Sequence, residues 1–171
     1  MKINLLTIAT ALFLSLVSLA QENKTELDVK FTQALNLQKK SRRVEAENIY
    51  NEILKVDRTY GAAYYQRSLI HLHYKKNDVA LKDLTSAIDF GNTETKISAH
   101  KEMLTILFKD NDSCSAEAMT HVNALTSLES DNFESSYYSG LCKFHSGNFQ
   151  EAVNDFTQAY NQNPEFLKIL F

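Results

Sequence analysis

The chain has 171 residues, 18 basic and 21 acidic, with a formal net charge of −3. That balance offers no general attraction to nucleic acid, and one proline with four glycines argues against a loop-rich all-β fold or a disordered tail. No nucleophile motif, phosphate-cradling loop or paired-carboxylate motif occurs, which points away from an enzyme.

Residues 1–20 read as a signal peptide. Lys2 gives a short positive start, and Ile3 to Val17 is apolar apart from Asn4, Thr7, Thr10 and Ser15. Ser18-Leu19-Ala20 then sets small residues where a signal peptidase reads, followed by Gln21. The stretch is barely long enough for the alternative, a membrane anchor. No cysteine stands at the cut, so a lipoprotein signal is absent. The expectation is a protein exported to the periplasm or secreted, with a leader of bacterial type and no membrane span after cleavage.

The remainder, 21–171, is one domain of helical pattern. Leu27, Phe31, Ala34, Leu35 and Leu37 stand at helical spacing over 27–40. The basic loop Lys39-Lys40-Ser41-Arg42-Arg43, read as a solvated turn, breaks this face. Val44, Ala46, Ile49, Tyr50, Ile53, Leu54 and Val56 resume it. In the second unit Ala63, Tyr64, Ser68 and His71 precede a turn expected at Asn77-Asp78. Val79, Ala80, Leu84, Ala87 and Ile88 follow, with Gly91-Asn92 as a helix stop. The third unit is irregular: Ile97, Leu104, Leu107 and Phe108, then a polar Asp110–Ser113 loop expected to house extra residues, then Cys114, Ala118, Val122, Leu125 and Leu128. In the fourth, Tyr137, Gly140, Leu141 and Phe144 precede a Gly147-Asn148 turn. Phe149, Ala152, Val153, Phe156, Ala159 and Tyr160 follow, and Asn163-Pro164 ends the hairpin. The apolar Phe166–Phe171 segment is expected to lie as a stub over the last hairpin, or else to drive self-association.

Ala46, Ala80, Ala118 and Ala152 recur 34, 38 and 34 residues apart, a period that marks a stacked helical-hairpin array. In these residues the chain resembles the tetratricopeptide repeat (TPR) family over about 27–166. In that family a small residue of the first helix meets a small residue and an aromatic of the second. Gly140, Ala152, Phe156, Ala159 and then Pro164 match in the last unit, Ser68, Ala80, Leu84 and Ala87 in the second, and Ala34, Ala46, Tyr50 and Ile53 in the first. In the third, Ala118 fits but Ile106 stands where a small residue is expected. Tryptophan, frequent early in such repeats, is missing.

The resemblance implies an all-α, right-handed superhelical solenoid of about four antiparallel hairpins, with units near 27–60, 61–94, 95–132 and 133–166 and a helical stub at 164–171. It also implies a concave face, lined by the first helices, that binds a segment of a partner protein. By matching places, that groove comprises Phe31, Leu35 and Gln38; Tyr65, Leu69, Leu72 and His73; and Glu134, Tyr137, Leu141, Phe144 and His145. The surface is aromatic and aliphatic with polar tips, suited to a peptide with apolar anchors. Leu35, Leu69 and Leu141 occupy places where the charged clamp of chaperone-tail binders needs polar residues, so that specialised function is not expected. A structural assembly subunit of the cell envelope, docking or forming a homo-oligomer through Phe166–Phe171, is the alternative.

No cofactor is implied. His71, His73, His100, His121 and His145 lack metal-ligand spacing, so no metal is expected. Cys114 and Cys142 fall near facing ends of adjacent helices. In an exported chain they are either a disulfide or unpaired buried thiols.

Overall fold

The computed structural model describes residues 5–109, 114–130 and 132–165. Among these residues the chain is all α-helical, with α1 Leu5–Lys39, α2 Arg43–Val56, α3 Gly61–His73, α4 Asn77–Phe90, α5 Thr93–Lys109, α6 Ala116–Leu128, α7 Phe133–His145 and α8 Phe149–Gln162. The chain divides into two compact units, Met1–Arg58 and Thr59–Phe171. The first holds the α1/α2 hairpin. In the second, the hairpins α3/α4, α5/α6 and α7/α8 follow one another, with α4 against α5 and α6 against α7.

The buried positions explain the helices. In α2 they are Ala46, Tyr50, Ile53 and Leu54, and in α4 Ala80, Leu84 and Ala87 among others. Each set is spaced to fall on one helical face. The four period-marking alanines are all buried. A small side chain lets the paired helix come close, and the larger residue one turn on fills the gap.

The first helix is longer than its expected 27–40 span, running unbroken from Leu5. Phe13, Leu14, Val17 and Leu19 on it are exposed, and the first buried side chain described on α1 is Leu27. No described helix is long and apolar enough to cross a membrane.

Three hairpins turn in the same way. The left-handed residues Ser41 (φ 61°), Lys75 (φ 58°) and Gly147 (φ 78°) occupy matching places. In each turn the residue after the left-handed one donates its N–H back to Leu37, His71 or Lys143, five residues earlier. This is a Schellman-type stop. The turn expected at Asn77-Asp78 thus lies one step earlier, at 74–76. Asn77 and Asp78 instead open α4, where a carboxylate complements the helix N-terminus.

The third hairpin differs. Its first helix, α5, has 17 residues against 13 in α3 and α7. The additional length is therefore partly helical, because Leu107 and Phe108 keep packing against the Leu104, Ala118, Val122 and Leu125 cluster. The Asp110–Ser113 loop lies outside the described residues. After it, Ser115 caps α6 by accepting a hydrogen bond from the Ala118 N–H at 3.0 Å.

That lengthening corrects the register. Seven residues into α3, α5 and α7 stand Ser68, His100 and Gly140, all buried. His100, not Ile106, occupies the small residue's place in the third hairpin. Counting back from Ala118 crosses the inserted residues and misses it. Ile106 packs instead on the neighbouring Leu84, Ala87, Ala99 and Met103 cluster.

Polar groups also tie each hairpin together. Arg67 donates to both oxygens of Asp83 at 2.8 and 2.6 Å. At the matching place Asp155 accepts from Ser139 at 2.6 Å and pairs with Lys143 at 2.8 Å. Cys114 and Cys142 form a disulfide with Cα atoms 4.7 Å apart, linking the segment before α6 to α7. Of the two states open for the cysteines, the bridged one is found.

Candidate first-helix binding surface

In the Thr59–Phe171 unit, α3, α5 and α7 are the first helices of successive hairpins. Tyr65, Leu69 and Leu72 on α3 are half-buried, and His73 is exposed beside Tyr74 with ring centroids 5.2 Å apart. On α7, Glu134, Tyr137 and Leu141 are half-buried, while Phe144 and His145 are exposed. The same side-chain character recurs at matching places: Tyr65 and Tyr137, Leu69 and Leu141, Leu72 and Phe144, His73 and His145.

Neighbouring helices position these residues. Tyr65 packs beside the Leu84, Ala87, Ala99 and Met103 cluster, and its hydroxyl lies near Ser98 of α5. Burial, helped by the Glu102 charge, pushes its phenol pKa up. Tyr137 lies against Tyr138 and Phe156, with centroids 5.3 and 6.0 Å away, and burial raises its phenol likewise. Glu134 pairs with Lys101 of α5 at 2.5 Å. Phe144 meets Phe149 edge-on at 5.5 Å and stays 51% exposed.

In the Met1–Arg58 unit two of the expected residues, Phe31 and Gln38, contact Tyr50 of the same hairpin. Tyr50 is fully buried and donates its hydroxyl proton to Gln38 Oε1 at 3.1 Å. Phe31 lies against the Tyr50 ring at 5.8 Å. Leu35 is half-buried between them in sequence. Phe31 and Gln38, both half-buried, thus contact Tyr50 of α2.

Residues that the sequence reading left out come from α5 and from Tyr138. Ser98, Lys101, Glu102 and Thr105 of α5 reach residues of α3 and α7. Tyr138 sits on Phe108 at 5.1 Å, and its hydroxyl is 3.3 Å from Thr105 Oγ1. The signal that could have found them was the start of α5 at Thr93, which aligns α5 with α3 and α7. The irregular third hairpin hid it.

A polar recess lined by Thr126, Ser135, Ser136, Ser139, Asp155 and Gln158 opens elsewhere on the unit. Ser135 and Ser139 project from the side of α7 away from Tyr137 and Leu141. Among the described residues no group of three His, Cys, Asp or Glu side chains is arranged to hold a metal ion.

No protein-family model and no curated protein matches the sequence. Solved structures do resemble it. MamA aligns with a TM-score of 0.64 at 15% identity, over 88% of this chain and 86% of that one. YrrB, a TPR protein with an unusual peptide-binding site, gives 0.65 at 18% identity, over 86% and 74%. The RS-1 ArsTM double mutant of MamA gives 0.58 at 14% identity, over 85% and 80%. The likeness is one of fold: the chain is a TPR-like all-α helical repeat.

Proposed function

We propose that this chain is an exported protein–protein interaction module that holds a segment of a partner protein along its first helices. One observation carries the reading. The Tyr, Leu, Leu/Phe and His side chains of α3 recur at the matching places of α7, and each stays half-buried or exposed. Aromatic and aliphatic groups kept together at the water-facing edge of both helices suit an apolar partner segment. YrrB, similar in fold, carries a peptide-binding site, and the present chain is read by analogy with it. The apolar leader and the Cys114–Cys142 bridge support export, since such bridges persist in oxidising compartments.

The test is capture of the partner by crosslinking in the native envelope, comparing wild type with a Leu69→Lys/Leu141→Lys double variant. Both sites are half-buried, so circular dichroism must first show unchanged helicity. The expected result is loss of the captured band in the variant. Equal capture by the two proteins would remove the first-helix surface as the site.

A second reading is favoured by the last described helix, where Phe149 and Val153 are 60% and 56% exposed and Tyr160 is exposed as well. Such an edge suits docking or self-association in an envelope assembly, with Phe166–Phe171, which lies outside the described residues, as the contact. Loss of an oligomer in light scattering on deleting 166–171, with crosslinked capture unaffected by the leucine variants, would favour this reading over the first.

A further inference from the structure

Ser98, Glu102 and Thr105 stand four and three residues apart on α5 and so share one face of the helix. Each flank is held by a tyrosine from a neighbouring hairpin. The Tyr65 hydroxyl of α3 lies near Ser98, and the Tyr138 hydroxyl of α7 lies 3.3 Å from Thr105 Oγ1. The two phenols therefore bracket the turn that carries Glu102, and its carboxylate is near enough to act electrostatically on both.

Glu102 is half-buried, and among the described residues it has neither a hydrogen bond nor an ion pair. The adjacent Lys101 does not neutralise it, being engaged with Glu134 at 2.5 Å and Glu129 at 3.8 Å. A carboxylate drawn partly out of water with no cation is an uncompensated cost in the free protein. Burial accordingly raises its pKa above the ordinary carboxylate range. An incoming cation would offset that cost, and two flanking phenol rings add hydrogen-bond acceptors and π faces.

We propose that Glu102, framed by Tyr65 and Tyr138, is the seat for a lysine or arginine side chain of the bound segment. This rests on the first-helix surface being the binding face, and it gives the partner a chemistry: a basic residue among apolar ones. Leu69 and Leu141 lie on the helices to either side and take the apolar neighbours. The polarity is the reverse of a lysine-and-arginine clamp for a carboxyl tail.

The probe is a random dodecapeptide library displayed on phage and selected on the immobilised full chain. Parallel selections use Glu102→Gln and Leu69→Lys/Leu141→Lys. The expected wild-type pool is enriched in Lys or Arg flanked by apolar residues, and the Glu102→Gln pool keeps the apolar residues but loses the basic one. Replacing the basic residue of a selected peptide by norleucine should weaken binding to wild type about tenfold or more, and leave binding to Glu102→Gln unchanged. A wild-type pool without basic enrichment, or a norleucine peptide that binds wild type as well as its parent, overturns the inference while the binding face stands. The norleucine comparison needs no protein variant, so it decides the matter even if Glu102→Gln folds poorly. Peptides that bind the leucine double variant as well as wild type, or no selection above background on wild type, would take down the binding face and this inference together.

Discussion

Gly140 stands so close to α8 that a Cβ there would be 2.7 Å from two carbons of the Phe156 ring. The ring is itself held beside Tyr137, so it has little room to retreat. Gly140→Ala is expected to destabilise the protein by about 1–3 kcal/mol through overpacking, measured by urea unfolding. Adding Phe156→Leu should recover part of the loss. This pair was legible in the sequence, because Gly140 and Phe156 occupy the places where the resemblance calls for a small residue and an aromatic. The facing histidines of the third hairpin were not. His100 and His121 touch Nδ1 to Nδ1 at 2.9 Å in a buried site. Burial, then the His121 charge and Lys96, lower the His100 pKa to about 4; burial lowers that of His121 against the opposing pull of Glu117. Both folded pKa values lie below the ordinary histidine value of about 6.5. The unfolded chain therefore binds more protons than the folded one between those values. Stability is complete above about pH 6.5 and falls as the pH drops toward 4. The expected loss at the acid end is on the order of 2–3 kcal/mol for His100. Urea midpoints between pH 7 and 4 measure it, and a His100→Asn/His121→Leu variant should flatten this part of the profile.

At the scale of elements, periodicity located the described helices after α1, because the buried stripes recur at helical spacing and the alanines mark the second helices. Two features escaped it. The left-handed turn residues Ser41 and Lys75 carry no glycine signal, and only Gly147 announces its own conformation. The length of α5 was hidden because an insertion at a hairpin turn leaves the flanking patterns intact while shifting their phase. The disulfide also exceeded what spacing could decide, since bridging depends on how two backbones approach. It encloses 28 residues of sequence separation, for which chain-entropy arguments give about 3–4 kcal/mol. Cys114→Ser/Cys142→Ser, or reduction with dithiothreitol, is expected to lower the unfolding free energy by about that amount, read from urea curves with and without reductant. An unchanged midpoint on reduction would mean that α6 and α7 are held by packing alone.

For the molecule as a whole, the repeat architecture could be read from residues because each hairpin restates the same packing rule. The candidate surface could be read only in part. Tyr65, Leu69, Tyr137 and Leu141 follow from matching places. Phe31 and Gln38 also follow from matching places, and both touch Tyr50 of their own hairpin. Glu102 and Tyr138 needed coordinates, because their significance lies in contacts between hairpins of different length.

The unequal third hairpin has one more bearing, on assembly of the fold. A tandem of look-alike segments invites pairing with the wrong neighbour, since any second helix offers nearly the same stripe to any first helix. Unequal connections and distinct core layers lift that degeneracy. Here the longer α5, the histidine pair in place of a glycine or serine, and the covalent tie to α7 make the third hairpin unlike its neighbours. The irregular hairpin is thus an index mark that breaks the translational symmetry of the chain.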